Sequence, residues 1–436
     1  MNRIRCILIF CVLLTGCKAQ EIKNDVMDGK TTINDLQDEE LKKPDETIHN
    51  TEEFIYVMDY LAFYRIDEKV FFYIDGAYAE EFYNPYTEYQ KAYQMADLAD
   101  VYACQLDDSY YSKDKIIGLK YSISKDIATS SPQNKAEAKI VPSFDYEQKG
   151  DSSYPEENKD REKIHCENTE QLYYLVMNGY EPVPAEGSIA EEVYNEAINV
   201  IHTFINHQMD DFEKIKAIYD YLTTEIYYDA ETAYSSDTYL VKEQAYYLEG
   251  VFLNHCAVCD GKAKAYAMLL NMIGIPCYRT TGVSEDGDHA WNLVQLDNKW
   301  YVSCTTYGQS NATKSLNCYL PNYAMLLTDE TTPYEEEWGF IPQKHLDIYE
   351  ILEEEPYDVY EKMHVTVKDM NELIELLNSI EQERPYKAEF MYTGDDAQAF
   401  QEEMLTYLEK IENVNAIEVK SERGKVYQII YLNEEE

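Results

Sequence analysis

Apolar positions recur near every 3.6 residues in two distant segments, Phe54, Val57, Met58 and Leu61 in the first and Leu373, Leu376, Leu377 and Ile380 in the second. Each helical pattern gives way to a short strand-like run, Phe71-Phe72-Tyr73 and Phe390-Met391-Tyr392, and the segments align without a gap from Glu53 on Glu372 to Tyr73 on Tyr392. A second helical pattern follows in both, over 88–101 and 397–411, and then two strands, which in the second copy run over 416–420 and 426–432 through Arg423-Gly424. The pattern predicts an α-β-α-β-β module near each end of the chain, residues 51–127 and 351–436. Two copies are too few for a stacked solenoid. Neither copy holds a nucleophile, a metal-ligand cluster or a Gly-rich loop, so packing or partner contact is their expected role.

Between the modules, residues 128–165 are polar and without period, with Ser130-Ser131-Pro132 and Gly150-Asp151-Ser152-Ser153, and read as a linker. Helical patterns return over 170–177, 189–207 and 211–223, the last with Phe212, Ile215, Ile218, Tyr219 and Leu222 on one face. Cys259, Ala263, Tyr266, Leu270 and Ile273 then fall four and three residues apart, as one buried helix face stopped by Gly274 and Pro276. Cys259 is placed in the first turn, where unpaired backbone N–H groups and the helix dipole favour a thiolate. The run from His289 to Leu296 alternates like a strand, Asp297-Asn298 makes a two-residue turn, and 299–304 returns. If Leu296 pairs with Lys299, Trp291 faces Cys304, and His289 and Cys304 become diagonal neighbours with backbones roughly 7 to 8 Å apart. A carboxylate at 304 would orient His289, but the residue there is a cysteine.

Charge narrows the function classes. The 436 residues carry 83 Asp+Glu against 37 Lys+Arg, a net charge of −46, which repels phosphate backbones and anionic lipid surfaces; nucleic acid is excluded as a partner of the folded part. With 45% apolar residues the chain still fills cores of its own in more than one domain. Tyr outnumbers Phe by 42 to 13, which reads as amphipathic packing material rather than a sugar-binding stripe. At the start, Arg3 and Arg5 precede an apolar run from Ile7 to Leu14 and then Leu14-Thr15-Gly16-Cys17. This predicts a signal peptide over 1–16; the small residues before Cys17 resemble a bacterial lipobox, which makes Cys17 a lipidated N-terminus, the protein extracytoplasmic, and the lipid its only membrane contact. Residues 17–50 are expected to form a solvated stalk.

Removing Cys6, Cys11 and Cys17 from the ten cysteines leaves Cys104, Cys166, Cys256, Cys259, Cys277, Cys304 and Cys318, an odd set in which at least one thiol stays unpaired. Cys256-Ala257-Val258-Cys259 is a C-x-x-C at a helix start, without the βαβ pattern of a thioredoxin-like fold; a disulfide there would block Cys259. His255, Cys256, Cys259 and His289 lack the second close-spaced pair of a structural zinc site, and no cofactor motif is found, so neither metal nor cofactor is expected. His202, His207 and His345 read as ordinary surface or core residues, and the runs at 335–337 and 353–355 as solvated acidic faces.

Taken together, Tyr219-Asp220-Tyr221-Leu222, Ala257-Val258-Cys259-Asp260-Gly261, Gly274-Ile275-Pro276, His289-Ala290-Trp291-Asn292 and Trp300-Tyr301 resemble, in this order, the transglutaminase-like superfamily, the papain-like branch found in many bacterial surface lipoproteins. The resemblance covers about 189–342 within a domain placed at 166–350. It implies an α+β fold in which a helix carrying Cys259 packs on an antiparallel sheet, Cys259 attacks an amide carbonyl of a peptide or protein, His289 shuttles the proton and an Asp on the next strand orients the His. The sequence departs from this pattern where the Asp is expected: Cys304 stands there, Tyr307 stands for a second Trp, and Lys262 for a usual Tyr. A peptidase, amidase or acyltransferase working through a Cys259–His289 dyad, and a binding module that keeps the fold without the activity, are both compatible with these residues. An oxyanion site would use the backbone N–H of Cys259 and a second donor such as Asn254 or Tyr247.

Overall fold

Side-chain caps fix where the helices start. Asn50 accepts from the amide of Glu53 to open α1 (Thr51–Phe63), and Asn84 accepts from Thr87 at the start of the helix over Pro85–Met95, where Pro85 adds its pre-set φ. The computed structural model describes residues 27, 29–37, 39–81, 84–98, 103–122, 149–155, 160–234, 243–284, 287–308, 322, 324–328, 346–380, 386–411, 414–421 and 424–431. The signal-peptide and lipidation readings at 1–17, and Cys318 and His345, lie outside them. The chain divides into two units, Met1–Lys125 and Asp126–Glu436.

In the first unit, β1 (Thr31–Thr32) and β2 (Thr47–Ile48) both run parallel to β3 (Val70–Ile74), which pairs antiparallel with β5 (Ile116–Ser122), itself paired with β4 (Ala103–Asp107). Between β3 and β4 lie α2 (Gly76–Glu81) and α3 (Pro85–Met95). The stalk expected over 17–50 is corrected here. From Gly29 onward its described residues belong to this unit, with Ile33, Leu41 and Ile48 buried and the amide of Leu41 donating to the Tyr64 hydroxyl at 2.8 Å. Isolated apolar residues among charged ones show no period, and edge pairing to β3 is a long-range choice that composition does not reveal. The buried carboxylate of Asp59 accepts from the amides of Leu98 and Asp97 at 2.8 and 3.2 Å, tying the end of α3 to α1.

The second unit begins with the parallel pair β6 (Lys163–Cys166) and β7 (Glu181–Pro184) around α4 (Thr169–Met177), followed by α5 (Ile189–Phe204) and α6 (Asp211–Thr224). Ser188 caps α5, and Asp210 with Glu213 forms a capping box on α6. After β8 (Tyr227–Tyr228), α7 (Leu248–Phe252) and β9 (Cys256–Ala257) comes α8 (Cys259–Met272), and then a sheet of β10 (Cys277–Ser284), β11 (Gly287–Leu296) and β12 (Lys299–Ser303) in that order, all antiparallel. Leu296 pairs with Lys299 across Asp297 and Asn298, both with positive φ as a type I′ turn requires.

The sequence pattern assigns one buried face to α8, but Gly261 through Leu270 are buried without interruption, Lys262 and Lys264 included. The helix is central, with β10 and β11 on one side and α4, α6 and α7 on others. Two close approaches make this packing work. A Cβ on Gly261 would sit 2.5 Å from the Ala245 carbonyl oxygen, and one on Gly282 would collide with the Trp291 ring.

The C-terminal sheet runs β13 (Thr366–Val367), β14 (Tyr386–Tyr392), β16 (Gly424–Tyr431), β15 (Val414–Ser421), with α9 (Met370–Ile380) between β13 and β14 and α10 (Ala397–Leu408) after β14. It falls within the second unit and has a core of its own, with Val367, Leu373, Phe390, Phe400 and Tyr427 buried together; its buried Glu389 accepts from the Tyr360 hydroxyl at 2.6 Å and the Asn322 amide at 3.3 Å, and Tyr357 stacks on Phe212 of α6 at 5.4 Å.

Gly261→Ala is expected to destabilise the second unit by roughly 1–3 kcal/mol, because backbone opposes the added methyl on a buried helix. A urea-denaturation midpoint unchanged from wild type would contradict this packing.

Candidate functional site

Cys259 is the first residue of α8, preceded by Val258 in an extended conformation. The backbone amides of Ala290 and Asp260 act on its thiol in favour of the charged form. Ala290 follows His289 on β11, so the thiol lies near the strand end that carries the imidazole. Asn292, fully buried two pleats on, donates from Nδ2 to the Ala263 carbonyl of α8 at 2.8 Å and fastens strand to helix. Tyr228, Ala245 and Val258 form a small apolar cluster against which Cys259 and Tyr246 pack.

The thiolate expected at the helix start is corrected by desolvation. Burial first, and the Asp260 carboxylate second, push the Cys259 thiol up to about 11, against the opposing pull of the two amides and Arg279. Burial also holds His289 down at about 4. At neutral pH Cys259 is therefore a thiol and His289 a neutral imidazole.

His289 Nε2 lies 3.2 Å from Cys304 Sγ. The thiol at 304 also accepts from the Tyr307 amide at 3.3 Å, and the backbone around it is fixed: its amide donates to Ala324, and its carbonyl accepts from the Tyr219 hydroxyl at 3.1 Å. Cys304 thus sits fully buried against the imidazole. Above and below, the His289 ring meets Tyr307 at 4.8 Å and Trp291 at 6.0 Å. Trp291 can lie there because Gly282, opposite His289 in the sheet, has no side chain.

Sequence reasoning missed the polar groups buried around α8. Lys262, three residues after Cys259, is wholly buried, donates from Nζ to the Ile226 carbonyl at 3.2 Å, and is brought down to about 7 by burial, with Cys304 and Cys256 acting against that. Asp260 is ion-paired to Arg279 and, at 3.1 Å, to Lys264, which keeps its carboxylate below the usual range despite burial. Asp260 following a candidate nucleophile was the available signal; burial of both lysines had none, since alternating Lys and Ala reads as a solvated face. Of the proposed oxyanion donors, Asn254 spends its amide on Gln244 Oε1 at 3.2 Å, and the Tyr247 ring lies under Lys264 Nζ at 4.7 Å. Cys256 and Cys259 are both free thiols, so the C-x-x-C is open in this structure. His202 and His207 lie away from Cys259, beside the far end of α8.

Residues 198–303 match the model of the Transglutaminase-like superfamily. The Mus musculus protein named Kyphoscoliosis peptidase is 22% identical over 236 residues, 48% of this chain and 35% of that protein. The Homo sapiens protein of the same name is 25% identical over 130 residues, 27% of this chain and 18% of that protein. The chain therefore spans about a third of the mouse relative and under a fifth of the human one. A solved structure titled "Crystal structure of a TGase" is 22% identical, covers 27% of this chain and 31% of its own, and superposes with a TM-score of 0.23.

Two measurements check the electrostatics. Iodoacetamide labelling of Cys259, followed by mass spectrometry at the peptide level, should accelerate towards about pH 11, and Arg279→Gln should raise that midpoint by leaving Asp260 less neutralised. A midpoint below 8.5, the reference for a free thiol, would contradict the desolvation account. For Lys262, a folded-state pKa of about 7 against 10.5 means that the unfolded chain binds the extra proton between those values, so its burial penalty is complete below pH 7 and fades as pH rises to 10.5. Lys262→Met should remove that slope from stability-versus-pH curves and stabilise the fold at pH 7 by up to about 4 kcal/mol.

Proposed function

We propose that this chain, which carries a transglutaminase-like domain, is a cysteine enzyme acting on amide bonds of peptides or proteins, by hydrolysis or acyl transfer, held outside the cytoplasm by a lipid on Cys17. The observation that supports the reading is the contact of His289 Nε2 with Cys304 Sγ at 3.2 Å, on the strand end whose Ala290 amide acts on the Cys259 thiol. The peptidase named in the mouse and human relatives supports an amide substrate.

In this reading the resting pair reacts by proton transfer concerted with attack. As Cys259 Sγ bonds to the carbonyl carbon, its proton passes to His289 Nδ1, while Nε2–H donates to Cys304 Sγ. The oxyanion is met by the Cys259 backbone N–H at the N-terminus of α8. His289 then gives the proton to the leaving amine, and water or an incoming amine, deprotonated by the same imidazole, releases the acyl group and returns the thiol. Cys304 offers a neutral acceptor where a carboxylate would stabilise the imidazolium. By analogy with the serine-protease triad, the missing charge lowers turnover by up to about ten-thousand-fold.

That deficit, with the Cys259 thiol at about 11, favours a second reading: a binding module that keeps the domain and has lost turnover.

A fluorogenic peptide-amide library, assayed with and without an amine acceptor and with intact-mass detection of an acyl-enzyme, separates the two. Slow turnover abolished by Cys259→Ala and His289→Ala, and raised at least tenfold by Cys304→Asp, is expected of the enzyme. Silence from both wild type and a folded Cys304→Asp protein would leave the binding module.

A further inference from the structure

A cleft of about 480 Å³ opens at the opposite end of α8 from Cys259, walled by α5 and by the residues before β6. Thirteen helical steps separate Cys259 from Met272, which lines the cleft, so the two places are about 20 Å apart along the helix. Its floor is apolar, built from Val176, Ile198, Met272 and Ile273. The wall on α5 follows from sequence: Tyr194, Ile198 and His202 are spaced by four and share one stripe. The opposite wall is held in place by backbone bonds, Gly150 to Thr203 at 2.8 Å and Asp151 to Ile205 at 2.9 Å, with the Tyr154 ring on His207 at 5.0 Å and Ser153 Oγ on His207 Nε2 at 3.3 Å.

The charges facing the cleft are not what the whole chain would lead one to expect. Acidic residues outnumber basic ones 83 to 37, yet the Arg161 guanidinium has no ion-pair or hydrogen-bond partner among the described residues, and neither has the Tyr194 hydroxyl. Arg161 is close enough to Tyr194 for its charge to act on that phenol, while burial keeps the phenol protonated and a donor. The carboxylate on the same rim, Glu181, is engaged by Lys163 at 2.8 Å. The carbonyl end of α8 is closed by its own chain, Ile275 donating to Leu270 at 2.9 Å and Gly274 to Asn271 at 3.2 Å. What the cleft offers a ligand is a planar cationic fork, a phenolic donor and an apolar floor.

We propose that this cleft is a second binding site, for a small carboxylate that carries an apolar group, of the kind a peptide C-terminus presents. The carboxylate takes Arg161 in bidentate fashion and the Tyr194 hydroxyl, and the apolar group lies on Ile198 and Met272. The site is independent of the reaction at Cys259.

N-acetyl-L-phenylalanine is the probe, with its uncharged amide and phenethylamine as controls, measured by isothermal titration on the full chain. Saturable binding of the anion at least tenfold tighter than of the amide is expected, together with a loss of at least tenfold in Arg161→Gln and in Ile198→Trp, which fills the cleft. Circular dichroism confirms that both variants fold. Binding should persist after Cys259→Ala, which separates this cleft from the thiol site. Equal affinity for acid and amide, an unchanged affinity in Arg161→Gln, loss of binding on Cys259→Ala, or no saturation by about 10 mM would each overturn the proposal.

Discussion

Desolvation of α8 is the constraint from which most of the chemistry follows. A helix enclosed on every side by sheet and helices takes its polar groups out of water with it, and each must then find a partner, shift its protonation or both. Asp260 finds Arg279 and Lys264 and stays ionised; Lys262 donates to the Ile226 carbonyl and is brought to about 7; Cys259 keeps its proton up to about 11. The dipole and free amides of a helix start act in the opposite direction, but they do not outweigh the loss of solvent here.

The same enclosure fixes position. Asn292 reaching the Ala263 carbonyl ties β11 to α8 next to Trp291. Cys304 is held as firmly, by bonds to its amide, its carbonyl and its sulfur. The position beside His289 is thus firmly built around a thiol, and a carboxylate introduced by Cys304→Asp would enter a frame that already exists.

How much could be read from the sequence depended on the range of the interactions. The β11–β12 register was legible because Asp297-Asn298 permits one short turn and the alternation on either side permits one pairing; the contact of His289 with Cys304 follows from that register. The extent of α8 was legible from its period and from Gly274 and Pro276. The ends of the helices at 169–177 and 211–224 moved by a residue from the pattern, and the one at 189–204 stopped three short of it, with Ile205 already extended. The pairing of Thr31–Thr32 and Thr47–Ile48 with β3 was not legible, nor was the contact of Glu389 with Asn322, since both join residues far apart in the chain.

The sequence by itself determined the order of the candidate residues and their local conformations, because period, turn chemistry and motif spacing act over a few residues. Only the tertiary structure decided their protonation, the burial of Lys262 and Lys264, and the convergence of Arg161, Tyr194 and the end of α8 on one cleft. Those outcomes depend on how much water remains around a group and on which distant side chains replace it, and both are set by packing across long stretches of chain.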